Sequence, residues 1–177
     1  MDSLFKDLRV IDAASFVAGP GAATILGDFG ADVIKVEAPA GDAYRLLHGR
    51  HRHDYNWALT SRHKRDIALD LNQAAGRDVL HQMVVQADVF IHNFRADQLE
   101  RYDLTFDRLR SMNSRLIYAQ LTGFGTQGPD SEKRGYDTTA WWASAGILDL
   151  MKPGVSAPMS PVGGVGDHAS AMSLFGG

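Results

Sequence analysis

The N-terminal segment constrains the fold most, because it predicts a strand, a helix and a second strand in immediate succession. Residues 8–13 form an apolar run that predicts the first strand, and residues 31–37 predict the second. Between them, residues 20–29 predict a helix, with Pro20 in its first turn and Gly30 directly after its end. Two strands joined in this way lie parallel with a right-handed crossover. The segment therefore predicts the start of an α/β fold.

Predicted strands and helices continue to alternate along the rest of the chain. Further strands are predicted at 66–71, 88–92 and 116–121, and further helices at 73–86 with Asn72 as cap, 97–101, 106–112, 136–145 and from Asp167 onward. Residues 38–63 are polar and predict a loop with room for one short helix. The pattern is typical of a Rossmann-like α/β fold, a mostly parallel sheet flanked by helices. A length of 177 residues suits one domain.

Four predicted loops follow strands and should meet at one edge of this sheet. They are residues 15–19, 37–42, 93–95 and 122–125. Ligands of open α/β sheets bind beyond the carboxyl ends of the strands. We therefore expect the functional site at this edge.

Composition excludes several classes of function. The formal net charge is −3, so no basic footprint indicates nucleic acid. The chain has no Cys, which excludes disulfides, a Cys-ligated zinc site and a Cys nucleophile, and suits a cytoplasmic protein. The N-terminus predicts no secretory signal, and no apolar run reaches the ~20 residues that cross a bilayer. We expect neither a nucleic acid nor a membrane as partner.

The turn Ala18-Gly19-Pro20-Gly21 opens the first helix, where phosphate groups bind in many α/β proteins. Glu37 ends the second strand, where a dinucleotide fold would hold a ribose. However, Thr24 stands where the third Gly of the fingerprint belongs, and Pro20 lacks an amide donor. The residues therefore favour a tight strand-helix turn, with Glu37 as a solvated strand end, over an NAD site.

A cluster of histidines and cations lies in the polar segment. The histidines, beside Asp54, are His48, His51, His53 and His63. The cations are Arg50, Arg52, Arg62, Lys64 and Arg65. A metal site needs ligands on a rigid frame, and this segment has no periodicity, so we predict no metal. The local positive charge favours a small polyanion such as a nucleotide phosphate.

Asp167 follows three nearby glycines, Gly163, Gly164 and Gly166, and precedes a predicted helix. The simpler interpretation is a helix N-cap carboxylate. The functional interpretation is a carboxylate nucleophile, with the glycines giving a substrate access and the helix amides stabilising an oxyanion. The two interpretations are compatible.

Short motifs along nearly the whole chain resemble the N-terminal portion of family III CoA-transferases, the formyl-CoA transferase and carnitine CoA-transferase (CaiB/BaiF) type. They are Leu8-Arg9-Val10-Ile11-Asp12, Ala18-Gly19-Pro20, residues 29–37, Gly41-Asp42, Lys64-Arg65, Ala87-Asp88-Val89, Asn93-Phe94-Arg95, Gly123-Phe124-Gly125, Gly135-Tyr136-Asp137 and Gly166-Asp167. Each motif is weak alone, but their order is specific. The resemblance implies that residues 1–177 are part of a large CoA-binding and catalytic domain, truncated at the C-terminus, with a smaller domain absent.

The resemblance implies that Asp167 is the catalytic residue. Its carboxylate would attack an acyl-CoA thioester to give a mixed anhydride, and the released CoA thiolate would then form an aspartyl-CoA thioester. A carboxylic acid acceptor would leave as the new CoA ester. Coenzyme A is thus a substrate, and no permanently bound cofactor, neither metal, flavin nor nicotinamide, is implied.

The resemblance also implies where CoA binds. The implied residues are Phe16, Val17 and Ala18 in the first turn, Lys64 near the nucleotide phosphates, Asn93, Phe94 and Arg101 along the CoA channel, Arg134 where some relatives have Lys, and Tyr136 beside the active site. Ala38 stands where some relatives stack an Arg on adenine, and Arg62 is a candidate replacement. The family implies acyl-CoA and a small carboxylic acid as ligands, and an intertwined homodimer.

Two alternatives stay open. The similar α-methylacyl-CoA racemases use a His before the Asp of a Gly-His-Asp motif. Here Tyr136 precedes Asp137, and Tyr is a poor base at neutral pH because its pKa is about 10. The second alternative is an inactive CoA-binding fragment.

Overall fold

A computed structural model describes residues 3–46, 53–151, 154, 157 and 161–177. Its strands are β1 (Arg9–Asp12), β2 (Asp32–Glu37), β3 (Lys64–Ala68), β4 (Val89–His92) and β5 (Ile117–Gln120). They form one five-stranded sheet in the order β3-β2-β1-β4-β5, with every neighbouring pair parallel. The predicted α/β, Rossmann-like fold is therefore confirmed.

The direction of the strand order reverses at β1, which pairs with β2 on one side and β4 on the other. Ile11 lies opposite Ile34 of β2 and Phe90 of β4. Such a switch point opens a crevice at the carboxyl ends of the two strands, because the loops that leave them run to opposite sides. The loops that follow β1 and β4 are therefore placed to form a site.

The helices are close to those predicted. They are α1 (Ala18–Asp28), α2 (Tyr55–Ser61), α3 (Ala74–Val85), α4 (Ala96–Tyr102), α5 (Phe106–Met112), α6 (Ile147–Leu150) and α7 (Val165–Gly176), with a 3₁₀ turn at Ala43–Leu46 and a π helix at Asp137–Ser144. The polar segment 38–63 thus holds two helical pieces where the sequence predicted at most one. The predicted Asn72 cap is wrong: Gln73 is the N-cap of α3, and Asn72 donates from Nδ2 to Asp70 Oδ1 at 3.0 Å.

The sheet separates two cores of different chemistry. One core, which includes Leu80 of α3 and Leu109 of α5, packs on the face that carries Ile11 and Phe90. The other, which includes Ala23 of α1, packs on the face of Val10, Val33, Val89 and Ile91. Because side chains alternate along a strand, Asp12 shares the second face with Val10.

Helix α7 runs parallel to α1. A Cβ on Gly21, near the start of α1, would lie 3.1 Å from Ala171 of α7. At the other end, the rings of Phe29 and Phe175 are stacked with centroids 5.9 Å apart. Both helices therefore begin at the carboxyl edge of the sheet, which brings the first turn of α7 to the crevice. In the part of the chain that the structure describes, no helix has the length and apolar character to cross a membrane.

Candidate active site

The turn after β1, residues 13–17, is held by side chains from both sides. From the β4 side, Asn93 Oδ1 accepts the Ser15 N–H and Asn93 Nδ2 donates to the Ser15 carbonyl, each at 3.0 Å. From the β2 side, Asp42 Oδ1 accepts the Phe16 N–H at 3.3 Å. Phe16 has a φ of 67°, a left-handed conformation that costs a residue with a Cβ about 1–2 kcal/mol. The surrounding contacts must therefore hold this turn in place.

Val17 and Ala18 follow in this turn, and both side chains are buried. Val17 is the N-cap of α1, and Ala18 is its first residue. Their side chains are therefore packed within the protein and are not available to contact a ligand in this arrangement. Asn93 likewise serves the turn through its two hydrogen bonds to Ser15.

Lys64 does not project into open space. Its side chain is 1% exposed, and its ammonium donates to Asp12 Oδ2, the Pro20 carbonyl and the Thr60 carbonyl at 2.8, 2.7 and 2.6 Å. Burial lowers the pKa of Lys64, and the neighbouring Asp12 carboxylate opposes that shift. All three N–H donors are used within the protein. Lys64 therefore joins the sheet to the start of α1 and reaches no phosphate in this arrangement.

Asp167 lies half-buried in the first turn of α7. Gly164, with a φ of 82°, is the N-cap, so the interpretation of Asp167 as the cap residue is wrong. Burial raises the pKa of the Asp167 carboxyl, the negative charge of Asp137 adds to the shift, and His168 opposes it. Over the described ranges, no residue donates a hydrogen bond to this carboxylate. The Asp167 carboxylate thus has a raised pKa and no hydrogen-bond donor among the described residues.

Asp137 fixes the segment that carries Asp167. Its Oδ2 accepts the Gly164 N–H at 2.8 Å and the Trp142 Nε1–H at 3.2 Å. Its Oδ1 is buried and has no hydrogen-bond partner among the residues described. A Cβ on Gly166 would collide with this oxygen and with Trp141, so only glycine fits there. The π helix is thus packed directly under the first turn of α7.

An aromatic rim connects the β1 turn to this region. The Phe16 ring makes an edge contact with Tyr136, with centroids 5.9 Å apart, and lies 6.3 Å from Tyr44. Tyr136 is 65% exposed and directly precedes Asp137. Burial raises the pKa of Tyr44, and the charges of Asp54 and Asp167 raise it further. The structure therefore brings Phe16, Tyr136 and Asp167 to one side of the sheet edge.

Three further predicted site residues, Phe94, Arg101 and Arg134, have other surroundings. Phe94 packs between His92 and Tyr102, with ring centroids 5.7 Å from each. Arg101 lies over the Tyr102 ring and donates from Nη2 to the Tyr102 hydroxyl at 2.6 Å. Arg134 is exposed in the loop before the π helix. Their proposed contacts with CoA stay predictions.

A cavity of about 290 Å³ opens at the ends of β2 and β3, beside Ala38. Glu37 here is buried rather than solvated, because Arg45 binds its two carboxylate oxygens at 2.8 and 2.5 Å. Burial favours the neutral acid, but the hydrogen bonds from Arg45, Asp66 and the Asp42 amide dominate and lower the pKa of Glu37 to about 2. Arg62 pairs with Asp28, at the opposite end of α1, and does not reach this cavity.

The predicted histidine and cation cluster is only partly described. His48, Arg50, His51 and Arg52 lie outside the described residues. Within the described ranges, no group of three or more His, Asp or Glu side chains is placed to hold a metal ion. His63 lies 3.7 Å from Asp28, away from the crevice.

Sequence reasoning missed the buried charges near the site. Asp12, Lys35 and Asp42 are buried on the α1 side of the sheet. Asp137 accepts a hydrogen bond from the backbone N–H of Gly164, the N-cap of α7. One signal was available: Lys35 interrupts the apolar run of Val33, Ile34 and Val36. A lysine inside a buried strand needs an acidic partner, and that partner could not be identified from spacing.

Comparisons with known proteins agree on one family. The model of CoA-transferase family III matches residues 5–177. The chain is 34% identical to a cinnamoyl-CoA:phenyllactate CoA-transferase of Clostridium sporogenes, covering 99% of this chain and 44% of that protein. It is 40% identical to the β subunit of a succinyl-CoA–L-malate CoA-transferase of Chloroflexus aurantiacus, covering 87% and 38%. The chain thus spans less than half the length of these curated relatives.

A solved structure of a CAIB/BAIF family protein from Brucella suis superposes with a TM-score of 0.85 at 32% identity. The superposed region covers 99% of this chain and 50% of the Brucella suis chain. A hypothetical protein from Mycobacterium tuberculosis gives a TM-score of 0.88 at 33% identity, covering 99% and 49%.

Proposed function

Because the chain belongs to CoA-transferase family III, we propose that it supplies the CoA-binding turn and the nucleophile of an enzyme that moves CoA between an acyl-CoA donor and a carboxylic acid acceptor. One observation carries this proposal. The Asp167 carboxylate lies half-buried at the start of α7, unpaired among the described groups, on the same sheet edge as the Phe16 turn.

In the proposed reaction, an Asp167 oxygen attacks the thioester carbonyl of the donor. The C–S bond breaks, which gives a mixed anhydride and the CoA thiolate. The thiolate then attacks the Asp167 carbonyl, releases the donor acid as a carboxylate and leaves an aspartyl-CoA thioester. The acceptor carboxylate repeats these two steps in reverse order, departs as its CoA ester and restores Asp167. Each covalent intermediate keeps the Asp167 carbonyl activated, first as an anhydride and then as a thioester.

The surroundings of Asp167 suit both halves of this cycle. Burial and the negative charge of Asp137 raise the pKa of the Asp167 carboxyl, and a more basic carboxylate is a stronger nucleophile. It lies in the first turn of a 12-residue helix, whose free N–H groups favour developing negative charge. Among the described residues, nothing lies within 4 Å of a Cβ placed on Gly163, so a substrate can approach the backbone there.

The turn that holds Phe16, Val17 and Ala18 is the proposed contact for the pantetheine and nucleotide of CoA, with Asn93 behind it. Tyr136 would border the acyl group. The proposed ligands are acyl-CoA and a small carboxylic acid, and the proposed assembly is a homodimer in the cytoplasm. The racemase alternative gains no support, because Tyr136 stands where those enzymes use His and its neighbour Asp137 is occupied with α7.

The first test is calorimetric titration of the natural gene product with CoA and, separately, with NAD. CoA binding without NAD binding is expected. Binding of NAD alone, or of neither, would refute the proposed ligand. NAD binding alone would restore the dinucleotide interpretation.

The second test concerns Asp167. Asp167→Asn should retain CoA binding and lose transfer by on the order of 10³-fold or more. Asp107→Asn, at an exposed site on α5, is the matched control and should transfer normally. Mass spectrometry of the wild type quenched during turnover should find CoA on the peptide that contains Asp167. Full transfer by Asp167→Asn would exclude this nucleophile.

A further inference from the structure

Four charged side chains lie together under the turn of residues 13–17. They are Asp12, Lys35, Asp42 and Lys64, called here the buried quartet, and each side chain is at most 2% exposed. Burying four charges is costly, and proteins retain such groups only where each charge is paired and hydrogen-bonded. An apolar layer would stabilise the fold as well or better, so the quartet needs another explanation.

The charges within the quartet are paired in a chain. Lys64 Nζ lies 2.8 Å from Asp12 Oδ2, and Lys35 Nζ lies 3.9 Å from Asp12 Oδ1 and 3.3 Å from Asp42 Oδ2. Two cations alternate with two anions. The arrangement extends from the start of β3, across β2 and β1, to the loop after β2.

What distinguishes the quartet is where its remaining hydrogen bonds go. Asp12 Oδ1 accepts the Ala14 N–H at 3.2 Å, and Lys35 donates to the Ala14 carbonyl. Asp42 Oδ1 accepts the Phe16 N–H at 3.3 Å. Between these two residues, Asn93 holds both backbone groups of Ser15.

Side chains therefore bind five of the six backbone N–H and C=O groups of residues 14–16. Each of these five groups is bound by a side chain outside the turn. They are the N–H and C=O of Ala14, the N–H and C=O of Ser15, and the N–H of Phe16. Phe16 needs this support because its left-handed φ of 67° is unfavourable for a residue with a Cβ. A turn left to itself would relax to an ordinary conformation.

We propose that the buried quartet consists of positioning residues, which hold the Phe16 turn in its ligand-ready conformation before CoA arrives. This inference rests on the proposed CoA binding. When the turn is already formed, binding loses no free energy to ordering it. Loss of the quartet should therefore weaken binding without removing any contact with CoA. The quartet acts on affinity for CoA and for acyl-CoA, and leaves the chemistry at Asp167 intact.

The test is the binding of CoA to variants of Asp42 in the natural gene product. Asp42→Ala removes the acceptor that the Phe16 N–H shares with the Tyr44 N–H. It should weaken CoA binding about tenfold, the effect of the one hydrogen bond lost from the turn. It should raise the KM for acyl-CoA by a similar factor and change kcat less than twofold. Asp42→Asn keeps an acceptor oxygen and should bind CoA within threefold of the wild type.

Hydrogen exchange supplies a readout that does not depend on the ligand. The peptide that covers residues 13–17 should exchange faster in Asp42→Ala than in the wild type, both without CoA. Leu80→Ala is the control, because Leu80 is fully buried in the opposite core. It should lower global stability and leave CoA affinity unchanged. If Asp42→Ala does not fold, Lys35→Met takes its place with the same expected losses.

The outcomes separate this inference from the proposed function. A wild type that binds no CoA refutes the proposed function itself. A wild type that binds CoA, with a folded Asp42→Ala that binds it equally well, overturns the positioning role alone. Equal losses in Asp42→Ala and Asp42→Asn would assign the effect to charge rather than to the turn, and equal losses in Leu80→Ala would assign it to general stability.

Discussion

The two faces of the sheet differ in what they bury. The face toward α3–α5 carries the larger apolar core, with Leu80, Phe90 and Leu109 fully enclosed. The face toward α1 and α7 carries small apolar residues near its centre and the buried quartet at its carboxyl edge. The first face has mainly apolar contacts that stabilise the fold. The second uses polar groups to fix particular backbone atoms, and the candidate site lies on it.

The largest effect is expected from a substitution on the apolar face. Phe90→Ala removes a fully buried ring that contacts Tyr118 and should lower the free energy of unfolding by about 3–5 kcal/mol. Urea denaturation measures this loss. Among molecules that remain folded, CoA affinity should be unchanged, and a weaker affinity would show that the two faces are not separable.

A small change on the other face should do the reverse. Gly166→Ala places a methyl group against Asp137 and Trp141, where nothing fits, and should cost about 1–3 kcal/mol while displacing the first turn of α7. Transfer activity should fall by a larger factor than this loss of stability alone would cause. Gly176→Ala, at an open position of the same helix, is the matched control. It should leave both stability and transfer activity unchanged. Normal turnover by Gly166→Ala would contradict the proposed place of Asp167.

His92 is a polar residue on the apolar face, and its burial should make folding stability depend on pH. Burial lowers its pKa to about 4, and its Nε2 has no partner among the described groups. Below about pH 6.5, His92 binds a proton in the unfolded chain but stays neutral in the folded chain. The free energy of unfolding therefore falls as pH drops from 6.5 toward 4. Between pH 7 and pH 5 this loss should be about 2 kcal/mol.

Urea unfolding of His92→Phe measures that contribution, because the variant should lack it while other titrating groups stay the same. His53→Gln, at an exposed position, is the control and should follow the wild type. An identical pH dependence in His92→Phe and the wild type would show that His92 is not held neutral by the fold.

The smallest effect is expected at the rim of the polar face. Burial, with the nearby Glu37, raises the pKa of Asp66 to about 6, although Arg45 opposes it. The folded state then holds a proton that the unfolded state releases, so this group's contribution to stability is lost as pH rises from about 4 to 6. Because Asp66 is partly exposed, the difference should stay below about 1 kcal/mol. Asp66→Asn should remove it and Asp32→Asn should not, as urea titrations at pH 4 and 7 would show.

The sequence predicted the sheet well because its signals are local. Strand β1, helix α1 and strand β2 are marked by apolar runs, a proline and Gly30, all within a few residues of the boundaries they set. The site was predicted less completely. Asp167 was placed by motif order, but its role as a cap was wrong because Gly164 takes that position. Lys64 was expected near phosphates, whereas three acceptors from other elements surround it.

The missed contacts share a physical cause. Asp12 and Lys64 are 52 residues apart, and Ser15 and Asn93 are 78 apart. Periodicity reports which face a residue lies on, and it carries no information about which distant side chain meets it there. The helix predicted at 136–145 is present, but its π form at Asp137–Ser144 was not predicted from apolar periodicity.

The buried quartet has one further consequence, for the ionic strength at which this protein works. Its two positive and two negative charges cancel, and none is accessible to counter-ions. Dissolved salt screens exposed charges over about 8–10 Å and leaves enclosed pairs almost untouched. The shape of the Phe16 turn should therefore be the same in dilute buffer and in concentrated salt. Any salt sensitivity of ligand binding would then come from exposed charges outside the quartet.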